Sequence, residues 1–148
     1  LPFKLTNSQN KVIDEIIEIA KRNNIQGFIC ANLTKKRDNP KIIKEDLKGI
    51  PEDKGGISGK IMENLSDNLV SYIYKKTNGK YIIIGCGGIF SAEDAYKKIK
   101  LGASLLQMIT GMIFLGPQII SEINRGLTEL LKKDGYKNIN EAVGKNLK

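Results

Sequence analysis

The 148-residue sequence contains no histidine. That removes the commonest general base and metal ligand, and with them any Ser-His-Asp arrangement. Only two cysteines occur, Cys30 and Cys86, each at the end of an apolar run. Two such thiols make no metal site; they point to buried structural roles and a reducing compartment. No apolar run is long enough for a transmembrane helix. The opening Leu1-Pro2-Phe3-Lys4-Leu5 is not a signal peptide and has no initiator methionine. The chain starts inside what reads as the end of a strand, so it reads as a piece of a longer protein. Arginine is scarce, with three residues, and aromatics make up 6%. The net charge of +8 comes from lysines spread along the chain, with no aromatic residues among them in a patch. This is a solvated basic surface and not a nucleic-acid face, although a phosphate-bearing ligand gains from the field. No close pair of carboxylates stands at a strand end, and Glu52 and Asp53 fall in a long polar loop. The segment is equipped to bind and not to move protons, so no catalytic residue and no metal ligand is assigned in it.

What is present is a repeated strand–helix pattern. Thr6-Asn7-Ser8 offers helix caps ahead of Val12, Ile13, Ile16, Ile17 and Ala20 at helical spacing. A short apolar strand is predicted over 25–31. Residues 32–60 are polar, with two prolines and four glycines, and are expected to be mostly loop with a helical turn over 41–47. Ile61, Leu65, Leu69 and Ile73 mark a second helix. The next strand is predicted over 81–85. Ser91 with Asp94 makes a capping box for a third helix, and Gly102 stands where a C-terminal glycine belongs. A third strand is predicted over 103–109 and a short helix over 110–115. Pro117 suits the first turn of a last helix carrying Ile119, Ile120, Ile123, Leu127, Leu130 and Leu131. The polar tail holds one apolar set, Tyr136, Ile139, Ala142 and Val143. Near-continuously apolar strands joined by helices are parallel and covered on both faces. A complete eight-fold barrel of such units needs about 250 residues. The fold expected is therefore α/β, with this chain supplying close to half of such a barrel and an open edge that another chain or the missing half would pair.

Three motifs carry chemistry. Gly85-Cys86-Gly87-Gly88 ends a strand, where bare backbone N–H groups suit a phosphate. The loops after the last two strands of a barrel are the usual phosphate site. An anion there would meet the N–H groups of Gly88, Ile109 and Thr110 and the dipole of the following short helix. The bland alternative is a tight strand-to-helix turn. In Cys30-Ala31-Asn32-Leu33-Thr34, Asn32 has an amide that both donates and accepts, which suits an imide or carboxamide ligand; it equally suits an asparagine capping its own loop. Gly55-Gly56-Ile57-Ser58-Gly59-Lys60 would lay backbone against a planar ring, or serve as a hinge. It lacks the Walker phosphate-loop spacing.

Taken together, Asn32-Leu33-Thr34, Gly55-Gly56-Ile57-Ser58-Gly59, Ile84-Gly85-Cys86-Gly87-Gly88-Ile89 and Gly102-Ala103-Ser104-Leu105-Leu106-Gln107 resemble dihydroorotate dehydrogenase. The family patterns are N-T-T, G-G-L-S-G, I-G-V-G-G-I and G-A-S-L-V-Q, in this order. Leu130-Leu131-Lys132-Lys133-Asp134-Gly135-Tyr136 with Glu141-Ala142-Val143-Gly144 is similar to the end of the quinone-reducing class 2. The resemblance implies oxidation of dihydroorotate to orotate in pyrimidine synthesis, with FMN as hydride acceptor and a quinone as final acceptor. It implies an FMN phosphate on Gly87, Gly88, Ile109 and Thr110, with Ser58 and Gly59 near the flavin and Ala31 touching it through backbone. Asn32 and Leu33 would stand at the substrate, Asn32 bonding the orotate ring and Leu33 replacing the family's usual Thr with loss of one hydroxyl contact. The resemblance also makes the chain the C-terminal half of a (β/α)8 TIM barrel, completed by the N-terminal half of the same barrel. The base, a Ser in class 2, lies in the N-terminal half, as does the membrane-docking region. The flavin-contacting Lys would fall just before Leu1, so Lys4 is not that residue. The full protein is expected at the inner membrane side as a peripheral protein, with this segment soluble and inactive alone. Another phosphate-binding or FMN-dependent barrel oxidoreductase, or a non-enzymatic half-barrel, stays open.

Overall fold

The protein is described from a computed structural model covering residues 5–38, 42–48, 51 and 55–147. Lys4, Lys41, Glu52 and Asp53 lie outside the described residues. In chain order the elements are α1 (Asn7–Arg22), β1 (Gly27–Cys30), α2 (Glu63–Thr77), β2 (Ile82–Cys86), α3 (Ala92–Lys100), β3 (Leu105–Gln107), α4 (Thr110–Leu115), α5 (Ile119–Lys133) and α6 (Ile139–Ala142). Short 3-10 turns at Lys44–Leu47, Lys60–Met62 and Lys145–Leu147 join them. The three strands form one parallel sheet in the order β1-β2-β3. Parallel neighbours need a crossover, and α2 and α3 supply the two.

The sheet is half covered. Period-2 alternation sends Cys30 and Ile83 toward the helices, where they are buried. With Ile17, Val70, Ile73 and Ala103 they form the main core. Two further clusters tie α5 and the tail to α3: Ile89, Ala95, Ile119 and Ile123 in one, Tyr96, Ile99 and Ala142 in the other. The opposite sheet face carries Ile29, Ile82 and Leu105, exposed by 64, 51 and 56%. An apolar inner face of this kind is what the strands of a barrel turn toward one another.

Local signals set the boundaries. Thr6 caps α1 in a capping box whose other half is Gln9. At the end of α3, Gly102 N–H bonds Ile99 O at 2.8 Å and Ala103 N–H bonds Lys98 O at 3.1 Å, a Schellman closure on the predicted glycine. β1 and β3 are shorter than predicted, because ladder pairing stops at Cys30 and Gln107, whereas β2 keeps the predicted length and is shifted one residue onward to Cys86. Pro117 does not sit in the first turn of α5; it precedes the cap Gln118, and its carbonyl accepts from Ile120 N–H at 3.3 Å. Ser91 caps α3 as predicted, accepting from Asp94 N–H. The reciprocal bond differs: the Asp94 carboxylate accepts from Phe90 N–H at 3.0 Å instead of from Ser91. In the long polar segment, an antiparallel bridge pairs Thr34 with Ile57, which local patterning did not suggest.

Alternating charges join α2 to α3. Lys60 bonds Glu63 at 3.1 Å and Asp94 at 2.5 Å. Lys97 bonds Glu63 at 3.0 Å and Asp67 at 2.8 Å. Lys98, 1% exposed, bonds Asp67 at 2.5 Å. Burial pushes the Glu63 carboxyl up, but hydrogen bonds from Lys97 and Lys60 outweigh it and hold the group below its ordinary 4.5. A carboxyl depressed on folding adds stability that is complete above its unfolded value and lost as pH falls through the folded one. Glu63→Gln should therefore lower stability at neutral pH and flatten its decline below pH 4.5. Denaturant midpoints measured against pH check this, and equally steep acid limbs in both proteins would contradict it.

Candidate functional site

The carboxyl ends of all three strands open onto one hollow of about 170 Å³. Its wall includes Asn32 after β1, Ser58 and Gly59 before α2, Gly87 and Gly88 after β2, and Ile109 and Thr110 after β3. No lining residue carries a charged side chain. The polar groups on offer are backbone N–H, two hydroxyls and two amides.

The turn after β2 is built for close approach. Gly87 and Gly88 have φ of 104° and 76°, a region L side chains rarely adopt. A Cβ on Gly88 would overlap the backbone of Glu63, 2.7 Å from its nitrogen. The turn therefore lies directly against the start of α2. Across the hollow, the Ser58 and Thr110 hydroxyls share a hydrogen bond of 3.0 Å. A Cβ on Gly59 would stand 3.1 Å from Thr110 Cγ2, so the 58–59 arm packs against the start of α4. The first N–H groups of α4 have no intrahelical partner.

Two predicted site residues lie elsewhere. Ala31 and Leu33 border a neighbouring hollow of about 400 Å³ with Met62, Leu65 and Leu69. Both lie beyond Cys30, the last paired residue of β1, where the positive φ of Ala31 takes the backbone out of the extended strand. Leu33 instead covers Gly56, where any Cβ would strike its methyl groups. Ala31 has φ of 80°, a strained value for a residue with a Cβ.

Sequence reasoning missed Cys86, Phe90, Gln107 and Met108, which also line the hollow. Cys86 and Gln107 are register partners across β2 and β3. Continuing the alternation from Ile84 and Leu105 would have found them. Cys86 is thus not the fully buried thiol expected; it is half-buried, whereas Cys30 is buried. Burial pushes the Cys30 thiol up to about 12, against the opposing charge of Lys98. Burial raises Cys86 as well, again opposed by Lys98. Both thiols stay protonated at neutral pH, which makes them poor nucleophiles.

A family model described as Dihydroorotate dehydrogenase matches residues 3–131. The chain belongs to the dihydroorotate dehydrogenase family. It is 46% identical over 142 residues to the dihydroorotate dehydrogenase (quinone) of Rippkaea orientalis, a match over 95% of this chain and 38% of that protein. The mitochondrial dihydroorotate dehydrogenase (quinone) of Oryza sativa subsp. japonica is 40% identical over 92% of this chain and 28% of its own length. Among solved structures, ligand-free DHODH from Eimeria tenella superposes with a TM-score of 0.82 at 31% identity, over 97% of this chain and 38% of that one. The same enzyme in complex with ferulenol gives 0.79 at 33% identity, over 96% and 36%. The chain spans less than two fifths of these relatives, and its three parallel strand–helix units form a partial TIM barrel. No helix among the described residues is long and apolar enough to cross a membrane.

Gly88→Ala tests the built turn. The strained φ alone should cost about 1–3 kcal/mol, and the overlap with Glu63 adds to it. Chemical denaturation reads the loss, and a variant as stable as the parent would contradict the close packing of turn on helix.

Proposed function

We propose that residues 1–148 are the C-terminal portion of a single FMN-binding barrel domain that oxidises dihydroorotate to orotate. The N-terminal half of the same barrel would complete it and bring the base and the membrane-facing region. The observation that carries this reading is the gathering of Asn32, Ser58, Gly59, Gly87, Gly88, Ile109 and Thr110 around one hollow at the strand ends. Family membership supports the chemistry.

The residues present fit the anionic end of FMN. A hollow of 170 Å³ is smaller than the roughly 300–1,000 Å³ that encloses a whole ligand. It has room for a phosphate group, with the rest of the molecule lying outside it. Neutral N–H donors from Gly88, Ile109 and Thr110 would bond the phosphate, and positive φ at Gly87 and Gly88 keeps side chains out of the way. Ser58 and Gly59 would border the flavin, with Ala31 meeting it through backbone. When bound, FMN supplies the hydride acceptor, with a quinone taking the electrons onward.

Asn32 would donate to and accept from the orotate ring, fixing which face meets the flavin. Leu33 faces the neighbouring hollow with Ala31, so its departure from the family Thr alters packing on Gly56 and not the polar contacts of the hollow. This portion moves no proton; it holds and orients.

In the complete polypeptide, purified protein should carry flavin absorbance that dihydroorotate bleaches without oxygen. Asn32→Ala should weaken orotate binding by about 1–3 kcal/mol through a lost buried hydrogen bond. Titration of the flavin spectrum with orotate measures this. Colourless protein would sink the cofactor reading, and unchanged affinity would sink the role of Asn32.

A further inference from the structure

Lys98 is buried to 1% exposure, yet it touches neither the hollow nor solvent. Its stem runs from α3 beneath β2 at Gly85, where a Cβ would lie 2.8 Å from Lys98 Cγ. Its ammonium donates to Asp67 Oδ1 at 2.5 Å and to Ser66 Oγ at 3.0 Å. Folding a charge into a core is costly, and Asp67 balances it. Asp67 does not explain why Ser66 also converges on the cation.

The direction of the bonds supplies the reason. An ammonium only donates, so Ser66 Oγ must accept from it. The serine proton is then free to point elsewhere, and Ser66 Oγ donates to the Cys30 carbonyl at 3.4 Å. Charge on one donor polarises the next bond in such a chain. Cys30 O opens the peptide to Ala31, the residue at φ 80°. Asn32, on the wall of the hollow, follows immediately. Strained backbone persists only where its surroundings hold it.

We propose that Lys98 and Ser66 are positioning residues: through the Cys30 carbonyl they hold the strained Ala31 backbone and so aim Asn32 at the bound substrate. The inference rests on the reading of Asn32 as an orotate contact. Neither residue touches the ligand. The same lysine passes under the β2 end at Gly85, so one buried cation ties the ends of β1 and β2 to one reference point. That places Asn32 at a set distance from the Gly87-Gly88 turn.

The test uses the complete flavin-loaded enzyme and the orotate-induced change in its flavin spectrum. Ser66→Ala keeps the Lys98–Asp67 pair and removes only the relay. It should raise the orotate Kd about three- to tenfold, with bound FMN per protein unchanged. Ser66→Thr, which keeps the hydroxyl, should restore the parent affinity. In an Asn32→Ala background, Ser66→Ala should cost no further affinity, because residues acting through one contact are not additive. Equal Kd for parent and Ser66→Ala overturns the inference, as does a full additive loss in the double variant. If Ser66→Ala does not fold, the inference is carried by Lys98→Met, which should give the same non-additive loss with Asn32→Ala and is overturned by additivity. A parent enzyme that binds flavin but shows no response to orotate overturns the reading beneath the inference, and the inference with it.

Discussion

The contact between the Gly87-Gly88 turn and the backbone at Glu63 governs the rest of this structure. It forces the end of β2 directly onto the start of α2, with no side chain between. Once that contact is made, the 58–59 arm preceding α2 stands across from the turn, and Thr110 closes the third side through its bond to Ser58. Three segments distant in sequence thereby come to share one hollow. A larger residue at Gly88 would separate them.

Charge holds this contact in place. Asp94 accepts from Phe90 N–H, at the end of the turn, and from Lys60, just before α2. Lys97 then spans Glu63 and Asp67, and Lys98 ends the series in the core. Exposed pairs of this kind contribute little, about 0–1 kcal/mol each. The buried Lys98–Asp67 pair differs, since removing one partner strands a charge and costs about 3–5 kcal/mol. The basic surplus of the chain is thus not a uniformly solvated surface: three lysines are committed to fixing the floor of the site.

Much of this was legible in the sequence because it is local. Apolar periodicity located α1, α2 and α5, Ser91 located the start of α3, and Gly102 its end. Apolar runs ending in glycine located β2 and its turn. What was not legible depends on partners far along the chain. The Thr34–Ile57 bridge pairs two polar stretches with no strand pattern. The charge series needs α2 and α3 already side by side. Asp94 fits a capping box by spacing, yet bonds Phe90 and Lys60 because the turn brings both within reach. Ala31 and Leu33 were grouped with Asn32 by motif, but the chain leaves the extended strand at Ala31 and both border the neighbouring hollow. Alternation within β2 and β3 placed Cys86 and Gln107 on the wall.

The uncovered face at Ile29, Ile82 and Leu105 and the small size of the hollow point the same way: these residues grip one end of a larger ligand within a larger barrel. The claim at the centre is that neutral backbone donors hold a phosphate. Comparing FMN with riboflavin, which lacks that group, tests it most directly in the flavin-stripped complete enzyme. Calorimetry should show FMN bound far more tightly, with the difference collapsing in Gly88→Ala. Equal affinity for the two flavins would contradict the account.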